Sequence, residues 1–124
     1  MKKAHIFVAN DDKSFLGLMQ DLLESPEYTV STLRVGHSAY DQIKKALPDL
    51  LILDIVIEHP DSGWRTLDMI KLDPETAHIP VIVCSSDHRA LREKQAHLES
   101  LGCLIVEKPF DLDTLLDTVK QALA

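Results

Sequence analysis

The chain has little of what staples or punctuates a fold: two cysteines, four glycines, one tryptophan and only 5% aromatic residues in 124. Cys84 and Cys103 lie inside apolar runs, with neither a CxxC spacing nor a paired set of histidine ligands. A disulfide framework and a zinc module are thereby set aside, and buried free thiols are expected. The six histidines are scattered without metal spacing. No apolar run approaches the roughly 18 residues of a membrane span. The N-terminal MKKAHIFVAN begins like a signal peptide, but its apolar stretch meets Asn10 and Asp11 after a few residues, so no export is implied and a cytoplasmic location is expected. A net charge of -7 works against nonspecific affinity for nucleic acid or anionic membranes. Repeats, low-complexity tracts and linker-like stretches are absent as well. A length of 124 residues is enough for one core and too short for two, so residues 1–124 read as a single domain.

What the chain does have is an alternation of two periodicities. Short β-type runs occupy 6–9, 28–33, 50–53, 81–84 and 104–106. Four are continuously apolar, as parallel strands covered on both faces must be, whereas 28–33 is diluted with polar residues and suits a sheet edge. Between the runs, apolar residues recur at helical spacing. Phe15, Leu18, Met19, Leu22 and Leu23 form one stripe, Ala39, Ile43, Ala46 and Leu47 a second, and Trp64, Leu67 and Ile70 a third. The last helix carries Leu112, Leu115, Leu116, Val119 and Leu123 behind Asp111 as N-cap. A fourth helix over 89–101 has Leu91, Leu98 and Leu101 as nearly its only large apolar residues and should be the least firmly docked. Five β-then-α units predict an α/β fold, an open doubly wound parallel sheet with helices on both faces. Such sheets bind ligands at the carboxyl ends of their strands.

Those ends carry chemistry. The first strand runs into Asn10, Asp11 and Asp12, the third ends at Asp54, the fourth meets Ser85 and Ser86, and the fifth runs into Glu107, Lys108 and Pro109. Carboxylates from the first and third strands suit a hard divalent cation such as Mg²⁺, which takes one or two protein carboxylates and fills its octahedron with water and phosphate. A carboxylate, a metal, an ammonium and a hydroxyl are the equipment of phosphoryl transfer, which depends on positioning and charge neutralisation. Taken singly, each residue has a bland alternative: Asp54 as a loop or capping residue, Lys108 as a solvated lysine, Ser85 as the start of a turn. Capping is the better reading of Ser86 or Asp87.

With Asn10 and Asp11 after the first strand, PDLLILD ending at Asp54, IPVIVCSS carrying Ser85 and EKPF carrying Lys108, essentially the whole chain resembles the CheY-like receiver domain of bacterial two-component response regulators. The resemblance implies a flavodoxin-like five-stranded sheet of order 2-1-3-4-5 with five helices. It implies that Asp54 accepts a phosphoryl group from a histidine kinase or phosphotransfer protein in a Mg²⁺-dependent reaction, with no enzymatic turnover beyond self-catalysed transfer and slow autodephosphorylation. In the same terms Asp11 and Asp54 ligate the metal directly, the Val56 backbone carbonyl adds a ligand, and Asn10 reaches it through water. Ser85 bonds a phosphoryl oxygen, Lys108 neutralises another, and the Lys108–Pro109 peptide is cis. A downstream protein, or a second copy in a homodimer, would use the face of the fourth helix, fifth strand and fifth helix; neither nucleic acid nor membrane is an expected partner.

Three positions depart from the family's pattern. Asn10 replaces the first carboxylate of an acidic pair, so weaker Mg²⁺ affinity is expected. Ile105 stands where many receivers carry an inward-swinging aromatic, which leaves backbone shifts of 85–89 and the fourth helix to carry the signal, or weak switching. The loop 58–63, EHPDSG, is one residue longer than usual. Val56 and Asp87 lie two residues past Asp54 and Ser85, and an apolar Val56 cannot orient attacking water, so a long-lived phosphoryl group is expected. A phosphorylation-independent pseudo-receiver is the alternative that Asn10 and Ile105 encourage. A phosphohydrolase of the haloacid dehalogenase type would need a second Asp where Val56 stands, and a flavodoxin would need a Ser/Thr/Gly-rich phosphate loop after the first strand.

Overall fold

Of the four continuous apolar runs, 104–106 lies at a sheet edge, and the other three become the inner strands, because only a strand covered on both faces can bury every side chain. In the computed structural model, which describes residues 3–10, 12–34, 39–54 and 62–124, these are β1 (Ala4–Asn10), β3 (Leu50–Asp54) and β4 (Val81–Ser85). Every residue of β3 and β4 is buried. β2 (Tyr28–Arg34) and β5 (Leu104–Glu107) form the edges of a parallel sheet of order β2-β1-β3-β4-β5. The polar dilution of 28–33 thus marks an edge strand, in which Val30 is the one buried residue.

Side chains alternate between two cores. One face packs under α1 (Lys13–Leu23) and α6 (Leu112–Leu123), where Ile6, Val8, Leu50, Ile52 and Ile82 meet Leu16, Met19, Leu115 and Val119. The other packs under α2 (Ala39–Ala46), α3 (Ser62–Leu72), α4 (His88–Glu93) and α5 (Gln95–Ser100), where Phe7, Leu51, Leu53 and Val83 meet Ile43, Leu67, Ile70, Leu91 and Leu98. Cys84 and Cys103 belong to opposite cores and are free and buried, as expected. Among the described residues no helix is long and apolar enough to cross a membrane.

Three helical expectations need correction. Among the described residues the five expected helical segments appear as six helices, because the one expected over 89–101 is divided at Lys94; with Leu91 and Leu98 its only buried residues, nothing apolar holds the middle turn to the sheet. In α1 the buried stripe is Leu16, Met19 and Leu23, flanked by partly buried Phe15 and Leu22, while Leu18 is 51% exposed. Apolar residues at 15, 16, 18, 19, 22 and 23 admit more than one helical phase, and the sheet selects one of them. Leu47 is turned out of the second stripe and is 53% exposed, since it ends α2 with a positive φ of 43° ahead of Pro48. Asp12, Asp87 and Asp111 cap α1, α4 and α6 through their carboxylates.

Candidate functional site

Parallel pairing brings the polar residues at the ends of β1, β3, β4 and β5 to one edge of the sheet. Ala9 lies level with Leu53, Asp54 with Cys84, and Ser85 with Glu107, so Asn10, Asp54 and Ser85 each fill the last position of a strand. Four polar or charged residues are buried among those described, and three of them are this set; Thr76, the fourth, donates its hydroxyl to the Ile70 carbonyl. Burying polar groups costs free energy unless each is hydrogen-bonded. Here Asn10 and Asp54 bond to each other, and Ser85 accepts from the backbone of its own loop.

Asp54, at 8% exposure, is the centre. Its Oδ2 accepts from Asn10 Nδ2 at 2.9 Å and forms an ion pair with Lys108 Nζ at 3.0 Å. Residues 44 and 54 positions apart thereby converge on one carboxylate oxygen and fix its orientation. The Asn10 amide is itself held, its Oδ1 accepting the Asp12 N–H at 2.8 Å. Asn10 therefore presents its nitrogen to Asp54 and its oxygen to the backbone of Asp12.

Lys108 is gripped along its whole length. Its ammonium lies over the Phe15 ring at 4.1 Å, and Phe15 meets Phe110 edge to face, so an aromatic roof with a cation–π contact covers the ion pair. Its N–H donates to the Ser85 carbonyl at 2.9 Å, and its peptide with Pro109 is cis. The Lys108 carbonyl oxygen accepts from His88 Nε2 at 2.6 Å. Ser85 Oγ accepts the Asp87 N–H at 3.0 Å. Burial pushes the neighbouring Cys84 thiol up to about 11, against the pull of Lys108, so no second anion forms beside Asp54.

Of the residues singled out from sequence, Asn10, Asp54, Ser85 and Lys108 thus come together, whereas Asp11, Val56 and most of the loop 58–63 lie outside the described residues. Among the described residues no group of three or more His, Cys, Asp or Glu gathers as a metal site. Two participants escaped the sequence reading. Phe15 reads from its spacing as part of the core stripe, and His88 reads by default as a surface histidine whose one signal is that its loop flanks the site.

A family model described as the response regulator receiver domain matches residues 6–120. The polar-differentiation response regulator DivK of Brucella ovis is 28% identical over 119 residues, spanning 95% of this chain and 94% of that protein. The chemotaxis response regulator CheY4 of Vibrio cholerae has the same fold, with a TM-score of 0.84 at 22% identity over 98% of this chain and 100% of that one. So does the receiver domain of the sensor histidine kinase PA1611 of Pseudomonas aeruginosa, with a TM-score of 0.81 at 18% identity over 98% of both chains; that domain carries a magnesium ion in its active-site cleft.

Proposed function

Because this chain belongs to the response regulator receiver domain family, we propose that Asp54 accepts a phosphoryl group and that the domain relays a two-component signal through its state. The observation that carries this reading is the buried Asp54 carboxylate at the end of β3, oriented by an ammonium and an amide donor on the same oxygen. A carboxylate oxygen attacks phosphorus, the bond to the donor histidine nitrogen breaks, and its electron pair leaves with that nitrogen. The Lys108 ammonium neutralises charge on the transferred oxygens, and the Ser85 hydroxyl turns from the Asp87 amide to donate to one of them. Catalysis here is positioning in a site where most solvent is excluded.

The oxygen donors suit Mg²⁺. Asp54, Asp11 and the Val56 carbonyl would hold it, and it would supply further charge neutralisation at the phosphoryl oxygens. Asn10, as held here, contributes a donor to Asp54 in place of a second acidic side chain. The phosphodonor is a histidine kinase or phosphotransfer protein, and the output is binding of a downstream protein; turnover of phosphate esters is not expected.

Phosphotransfer from a panel of purified histidine kinases tests the chemistry. Wild-type protein is expected to gain an acyl-phosphate label, sensitive to hydroxylamine and abolished by EDTA, while Asp54→Asn gains none. Equal labelling of the two proteins would remove Asp54 from its role.

A further inference from the structure

The signal must leave Asp54 by some path, and the structure offers one that does not use position 105. Ile105 is a partly buried aliphatic residue beside a cavity of about 210 Å³, which it lines with Leu91, Arg92, Gln95 and Glu107. It has no polar tip with which to follow a moving hydrogen-bond partner. His88, the first residue of α4, does.

We propose that His88 is a positioning residue that carries the state of Asp54 to α4 through the backbone carbonyl of Lys108. The inference rests on the phosphoacceptor reading of Asp54. A carbonyl oxygen only accepts, so the imidazole donates from Nε2 across 2.6 Å, tying the start of α4 to a residue twenty positions away. Lys108 is bonded at three points to three partners: its side chain to Asp54, its N–H to the Ser85 carbonyl, and its carbonyl to His88. A phosphoryl group on Asp54 adds bulk and charge where Nζ now sits, and Lys108 must re-aim.

At the same step the Ser85 hydroxyl leaves the Asp87 N–H, which it now holds at 3.0 Å. Asp87 caps α4 and His88 follows it, so this turn loses its side-chain tether to β4. The imidazole is then the side-chain link that remains between the start of α4 and the reacting edge, and α4 follows Lys108. Glu107 Oε2 lies 3.9 Å from the same Nε2.

The test is ¹⁵N-labelled full chain titrated with beryllofluoride and Mg²⁺, comparing wild type, His88→Leu and His88→Gln. In wild type, amide shifts are expected at Ser85 and Lys108 and throughout 89–93. His88→Leu keeps the shifts at Ser85 and Lys108 and loses those at 89–93; His88→Gln, which retains a terminal donor, recovers them. Shifts at 89–93 that persist in His88→Leu overturn the proposal, as does their loss together with those of Ser85 and Lys108, which would make His88 a support of the site itself. If wild type shows no shift even at Ser85 and Lys108, the phosphoacceptor reading fails and this coupling fails with it. Should His88→Leu not fold, His88→Gln beside wild type still decides: shifts at 89–93 lost with the donor retained refute a role for the imidazole link as a donor, and the His88 Nε2–H resonance must move on titration of wild type.

Discussion

α6 and the α4–α5 pair lie on opposite faces beside β5, each opens with an aspartate cap, and the pair together supplies the same 12 helical residues as α6. Their docking differs. α6 is continuous and anchors Leu115 and Val119, with Leu116, Leu123 and the neighbouring Phe110 packed around them. The pair anchors Leu91 and Leu98 seven positions apart, breaks at Lys94 between them, and leaves Gln95 over a cavity. A helix held by a stripe moves as one body with the core, whereas one held at two points opens locally at lower free energy. The loosely held pair is also the one that starts three residues after Ser85, so compliance and chemistry share a loop.

The comparison breaks first at its anchors. Leu115→Ala should lower global stability by about 2–5 kcal/mol in denaturant unfolding, as a fully buried leucine does when truncated. Leu98 is equally buried, yet Leu98→Ala should cost clearly less globally, because the loss is capped by the free energy at which the pair opens. Its signature is faster amide exchange confined to 89–100, and equal global losses for the two variants would erase the distinction. Filling the cavity sharpens the contrast from the other side. Gln95→Leu should stabilise the pair by about 0.5–2 kcal/mol, slow exchange over 89–100, and shrink the response of 89–93 to beryllofluoride.

The smallest effect concerns the caps. The Thr114 N–H, donating to Asp111 Oδ1 at 2.7 Å, holds the Asp111 carboxyl below its ordinary 3.8. A depressed folded-state value means the charged cap stabilises α6 above the unfolded pKa and loses that contribution as pH falls through the folded one. Asp111→Ser retains a capping oxygen that does not titrate in this range. Wild type should therefore exceed it in Tm near neutrality, with the gap narrowing below about pH 4; a gap independent of pH would remove charge from the account of this cap.

How much was legible in the sequence follows from the range of the physics involved. Strand positions were readable because burial on two faces demands unbroken apolar runs, and the polar edge was readable because Asn10, Asp54, Ser85 and Lys108 each interrupt or follow such a run. The cap at Asp111 depends on a neighbour three residues away and was equally plain. The phase of α1 was not, since Leu16 and Leu18 are both leucine and only the sheet decides between them. Neither was the network in which the Tyr40 hydroxyl and Lys44 both bind Asp73 Oδ2 and hold that carboxyl down to about 2, joining α2 to the turn after α3.

By itself, then, the sequence determined the alternation of strands and helices, the parallel sheet, and which edge gathers carboxylate, hydroxyl and ammonium. Tertiary structure alone decided that Asn10 turns its nitrogen to Asp54, that Phe15 roofs Lys108, that α4 and α5 part at Lys94, and that His88 grips the Lys108 carbonyl. Hydrophobic patterning acts between neighbours along the chain and can be read there. A hydrogen bond between groups 20 to 54 residues apart depends on register and packing at the scale of an ångström, which no local pattern encodes.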